Sequence, residues 1–282
     1  MMGICLTKEK IEEAFLQYMN EIFALPEVVS ARVKDIIITR ENRKEAGRQA
    51  FEAGFHDIYS DTDLHVNVRL PKNGFVTKED YIKRIDRFGV SEDTALGRMF
   101  VPENNVQRII FKNGMRYDLI FDFEDGDNTE LQFEQVKADS ENDKWPMENI
   151  NRFWFIQIQA LGKLYRKDYL ISDHLANTNL NETLVMQMIM RDIKYASNHH
   201  RYGYSEELEY TKDLEKCPYK TEDETFNRIA DHMYAAALAY DRLVKYFYPD
   251  YTDRCAYFLA IWEAYEAYRI ENKYPDTNSP WK

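Results

Sequence analysis

The chain has 282 residues, 44% of them hydrophobic and 30% charged, with a formal net charge of -12. That length buries a substantial core and fits two domains, while the acidic balance excludes a nucleic-acid or anionic-membrane surface, which needs a basic face. Three cysteines far apart (Cys5, Cys217, Cys255), with no CxxC pair, exclude a zinc knuckle and a disulfide framework and fit a reducing cytoplasm.

No apolar run reaches membrane-spanning length. The opening MMGICLTKEK lacks a basic segment and a long apolar run, so no signal peptide is expected. Residues 7–25 predict a helix, because Ile11, Phe15, Tyr18, Ile22 and Phe23 recur at helical spacing and Pro26 follows. VKDIIIT, residues 33–39, reads as a β-branched strand. Residues 40–57 are polar, carry two glycines and have partial helical character. DLHVNVRL, 63–70, is a second strand, closed by turn chemistry at 71–74. Residues 78–89 predict a helix ended by Gly89. VQRIIF (106–111) and RYDLIFDF (116–123) read as a hairpin turning at Lys112-Asn113-Gly114. The acidic, aperiodic stretch 124–146 then places a domain boundary near residue 145. Beyond it, 148–169, 173–198, 221–247 and 252–271 carry helical stripes, with Thr221 to Glu224 forming a capping box. An N-terminal α/β domain precedes an aromatic-rich helical domain.

The chemistry concentrates at the head of the second strand, in YSDTDLHV. Alternation places Leu64, Val66, Val68 and Leu70 on one face and Asp61, Asp63, His65 and Asn67 on the other. Two carboxylates spaced about 7 Å apart along a strand can converge on one hard cation. In RYDLIFDF, Asp118, Ile120 and Asp122 share the face opposite Tyr117, Leu119, Phe121 and Phe123. A neighbouring strand would bring Asp118 beside Asp61 and Asp63. Three such acids suit Mg²⁺ and phosphate chemistry, and one can take a proton from an attacking hydroxyl. The same residues also fit an Asx turn ahead of a strand, with Asp118 and Asp122 solvated on a sheet edge. No GxxxxGK[ST] is present, which excludes a P-loop. A haloacid-dehalogenase-type phosphatase also uses DxD, but its acids follow their strand, whereas these precede it.

The two acidic elements SDTDLHV and RYDLIF resemble those of the nucleotidyltransferase superfamily. With DRFG (86–89), NGMRYDLIF (113–121) and NRFWFIQIQALGKLYRKDY (151–169) in the same order, the chain is similar to the aminoglycoside 6-adenylyltransferases. The resemblance implies an α+β protein. A nucleotidyltransferase-type α/β domain with a mixed sheet would span residues 1–145, and a helical-bundle substrate domain 146–282. It implies Asp61 and Asp63 as the metal pair and Asp118 as third ligand and general base. It places Lys163, Arg166 and Lys167 near the nucleotide. The family's Gly-Ser-Arg phosphate turn is replaced by Ile38-Thr39-Arg40, so Thr39 and Arg40 keep the hydroxyl and the cation, while Gly47-Arg48 offers an alternative turn. The implied activity moves AMP from ATP, with Mg²⁺, to a hydroxyl of a small acceptor, cationic if aminoglycoside-like, with no nucleic-acid or membrane partner. The altered turn sets beside it a second expectation: a catalytically impaired descendant that binds a ligand or partner.

Overall fold

The computed structural model describes residues 4, 7–70, 78–125, 142, 144–197 and 207–272. The turn expected at 71–74 and most of the acidic stretch 124–146 lie outside the described residues. The chain divides into two compact units, Met1–Asp139 and Ser140–Lys282, a few residues ahead of the expected boundary at 145.

The first unit opens with α1, Lys8–Ala24, capped by the Thr7 hydroxyl, which accepts from the Lys10 amide at 3.3 Å. Its buried stripe, Phe15, Tyr18, Met19, Ile22 and Phe23, is the one the spacing predicts. The single strand expected over 33–39 is instead a hairpin. β1 is Val28–Val33 and β2 is Ile36–Ile38, with Val33 opposite Ile36 and the two-residue turn at Lys34-Asp35. Lys34 takes φ 51°, a conformation normally left to glycine or asparagine, so the turn carries no composition signal.

α2 is Arg43–Gly54 and β3 is Thr62–Leu70. The helix expected over 78–89 divides into α3, Lys78–Lys83, and a 3-10 turn, Ile85–Phe88, closed by Gly89 at φ 72°. β4 (Ala95–Val101), β5 (Val106–Phe111) and β6 (Arg116–Asp125) complete the sheet. The hairpin between β5 and β6 turns where Asn113-Gly114 demands it, with Gly114 at φ 91°.

The six strands run in the order β2-β1-β3-β6-β5-β4. Only β3 and β6 pair in parallel, so the sheet is mixed. Leu64, Val66 and Val68 of β3 and Tyr117, Leu119 and Phe121 of β6 bury one face against the helices. Tyr18 stacks on Tyr117 at 4.6 Å, and Phe88 meets Phe121 edge-on at 5.1 Å. Each such side chain contributes about 1.5–3 kcal/mol by leaving water. At the mouth of β1, buried Glu27 accepts from the Tyr81 hydroxyl at 3.0 Å and pairs with Arg87, tying α3 and its 3-10 turn to the sheet.

The second unit is helical: α4 (Met147–Tyr165), α5 (Tyr169–Lys194), a 3-10 segment (Glu209–Lys216), α6 (Glu224–Phe247) and α7 (Cys255–Asn272). The continuous helix expected over 148–169 breaks after Tyr165, because Lys167 adopts φ 59° and its amide turns back to the Leu164 carbonyl. The cap of α6 is Asp223, which accepts from the Thr225 and Phe226 amides, while Thr221 only supports Asp223. The core is aromatic, with Phe153 stacked on Tyr240 and Trp154 and Trp262 fully buried. Asp241 of α6 accepts from the Arg254 and Cys255 amides and so caps α7. Cys217 and Cys255 are both buried free thiols. Among the described residues no helix is long and apolar enough to cross a membrane.

Candidate active site

Because β3 and β6 run parallel, their N-terminal ends lie side by side. The register sets Thr62 against Tyr117 and Asp63 against Asp118. Alternation then turns both carboxylates away from the Leu64–Tyr117–Leu119 core and onto the opposite face. Asp61, one residue ahead of β3, stands at the same corner.

The turn before β3 is made by a different acid. Asp57 Oδ1 accepts from the Tyr59 amide at 2.8 Å and from the Ser60 hydroxyl at 3.1 Å. Asp61 and Asp63 are therefore not spent on the Asx turn that YSDTD also allowed. Asp118 is not an edge residue either: β6 is flanked by β3 and β5, and Asp118 is 6% exposed. Asp122 is exposed, and its Oδ2 lies 3.5 Å from His65 Nδ1.

Two arginines complete the cluster. Arg108 of β5 is the cross-strand partner of Asp118, and its Nε lies 3.1 Å from Oδ2, without the alignment of a hydrogen bond. Arg116, 7% exposed, donates from Nη1 to the Tyr59 carbonyl at 3.0 Å and brings Nη2 to 3.4 Å from Asp61 Oδ2. The other oxygen of Asp118, Oδ1, is buried without a hydrogen-bond partner. Asp63 is exposed and carries no hydrogen bond or ion pair among the described residues. Burial pushes the Asp118 carboxyl up from its usual 3.8 to about 6; Arg108 pulls it down, and the nearby Asp61 and Asp63 charges add to the rise. A carboxyl so placed can both lose and regain a proton near neutral pH.

Neither arginine was among the residues that sequence patterning singled out. The signal was there: folding the hairpin about Asn113-Gly114 sets Ile110 against Arg116 and Arg108 against Asp118.

The expected phosphate turn is not a free loop. Arg40 donates from Nε to the Phe23 carbonyl at 2.9 Å and from Nη2 to the carbonyls of Leu25 and Val28. It thereby fastens the chain reversal between α1 and β1 through three backbone carbonyls. The Thr39 amide donates to Asn42 Oδ1 at 2.7 Å, at the start of α2, and Ile38 is fully buried. Gly47 sits inside α2, where an added Cβ would come within 3.0 Å of Leu16, so it serves helix packing and not a turn. Lys163, Arg166 and Lys167 gather in the second unit at the α4–α5 junction. Lys163 Nζ lies 3.4 Å from Asp168 Oδ2, and Arg166 caps α4.

Among the described residues, no group of three or more His, Cys, Asp or Glu side chains is placed to hold a metal ion. The donor set nevertheless fits a hard cation in kind: three carboxylates, one with an orphaned buried oxygen, and no soft ligand. A cavity of the first unit, about 380 Å³, lies on the helical side of the sheet beside Tyr18, Phe111 and Met115 and contains none of these acids. The carboxylates that line that cavity, Glu13 and Glu21, are both exposed. No family model and no curated protein matches the chain.

Proposed function

We propose that the chain is a nucleotidyltransferase that moves a nucleoside monophosphate, AMP from ATP, onto a hydroxyl of a small acceptor. The observation that carries this reading is the parallel β3–β6 register, which sets Asp63 against Asp118 beside Asp61. Asp61, Asp63 and Asp118 would hold Mg²⁺, which when bound neutralises triphosphate charge and orients it. Asp118 would take the proton from the acceptor hydroxyl. The acceptor oxygen then bonds to the α-phosphorus, and the bond to pyrophosphate breaks. Arg108, about one-third exposed, lies beside Asp118 on the same face, where a guanidinium suits a phosphate oxygen. The net charge of -12 suits a cationic acceptor such as an aminoglycoside. The test is pyrophosphate release from labelled ATP across a panel of aminoglycosides and other small alcohols. Release with one acceptor supports the reading, and silence across the panel counts against it.

A second reading, a ligand-binding module without catalysis, is favoured by the Arg40 clamp on backbone carbonyls and by the arginines already lying on Asp61 and Asp118. A module of that kind would bind its ligand with no dependence on divalent metal.

A further inference from the structure

We propose that this site accepts a single divalent cation, held by Asp63 and the Oδ1 of Asp118 with the remaining oxygen of Asp61 beside them, and that Arg108 stands where a second cation would otherwise bind. The inference rests on the nucleotidyl-transfer reading and concerns how many cations that site takes.

The carboxylate oxygens divide into two sets. Asp118 Oδ2 faces Arg108 Nε at 3.1 Å, and Asp61 Oδ2 faces Arg116 Nη2 at 3.4 Å. Arg116 is anchored by its bond to the Tyr59 carbonyl and is nearly buried, so it does not swing away freely. Arg108 is set opposite Asp118 by the β5–β6 ladder. The remaining set meets neither arginine: Asp118 Oδ1 is buried and orphaned, its register partner Asp63 is exposed and unpaired among the described residues, and Asp61 keeps its Oδ1. A buried oxygen without a partner is costly, and a cation relieves that cost.

Charge sets the number. Three carboxylates facing two guanidiniums leave the cluster one negative charge in excess. One divalent ion reverses that excess. A second would sit against guanidiniums that stay protonated at any ordinary pH and cannot step aside by titration. Arg108 thus does fixed, non-exchangeable work at Asp118 Oδ2 that a metal would otherwise do.

The test is electron paramagnetic resonance of Mn²⁺ titrated into the full chain without nucleotide. The wild-type chain is expected to take one ion, Asp63→Asn none, Arg108→Gln two, and Arg108→Lys, which keeps the charge, one. Two ions on the wild-type chain, or one on Arg108→Gln, overturn the inference and leave nucleotidyl transfer standing. No ion on the wild-type chain overturns the inference and the metal reading together. Circular dichroism checks that Arg108→Gln folds; if it does not, the wild-type count decides.

Discussion

Asp118→Asn keeps the size of the side chain and removes its charge, and it should stabilise the first unit at alkaline pH. A carboxyl whose folded pKa lies above its unfolded value binds its proton more tightly when folded. Its contribution to stability is therefore complete below 3.8 and is lost as pH rises through about 6. The gap between those values, at about 1.36 kcal/mol per pKa unit, is worth about 3 kcal/mol. The cause is the burial of Asp118, which outweighs the attraction of Arg108. At pH 8 the variant should be more stable than the wild type by up to about 3 kcal/mol, and at pH 4 the two should agree to within about 1 kcal/mol. Urea unfolding followed by circular dichroism at both pH values measures this, and the difference between the chains cancels the groups they share. Tryptophan fluorescence is the wrong probe, because Trp145, Trp154, Trp262 and Trp281 all lie beyond the first unit. An Asn variant less stable than the wild type at pH 8 and equal at pH 4 would refute the reasoning. The arginines would then dominate and hold the carboxylate ionised.

Asp61→Ala and Asp63→Ala should each abolish pyrophosphate release while leaving the thermal melting curve nearly unchanged; full activity in either removes that residue from the site. Without divalent metal the Asp118 carboxyl should lose its proton near pH 6 in an NMR titration, and Mg²⁺ should pull that midpoint down; a midpoint that Mg²⁺ leaves in place would dismiss Asp118 as a ligand. Arg40→Ala removes the side-chain donors to the Phe23, Leu25 and Val28 carbonyls and should cost roughly 2–4 kcal/mol in urea unfolding without changing ATP affinity. Glu27→Gln leaves Arg87 without its carboxylate and should cost roughly 3–5 kcal/mol, and a loss below 1 kcal/mol would show the pair to be dispensable.

Much of the frame could be read from periodicity. The apolar stripe of α1, the alternation in β3 and β6, the Asn113-Gly114 hairpin and the helical second half all follow from side-chain spacing. What escaped was local. The β1–β2 turn uses Lys34 at positive φ, so no glycine or asparagine announced it. β4 lacks clean alternation because its register against β5 shifts between Ala95 and Gly97. The acids of the site stood out because carboxylates at the head of an apolar strand are costly. Their arginine partners did not, because pairing across β5 and β6 is a matter of register, invisible in either strand alone. The hold of Arg40 on the α1–β1 reversal was hidden for the converse reason: a cation in a loop looks free until the carbonyls around it are placed.

The most direct test of the account is calorimetric titration of ATP into the chain with and without Mg²⁺, repeated on Asp63→Ala. The account predicts binding that needs the metal in the wild-type chain and disappears in the variant. Equal binding with and without Mg²⁺, or none under either condition, would contradict the claim that Asp63 and Asp118 form a nucleotide-metal site.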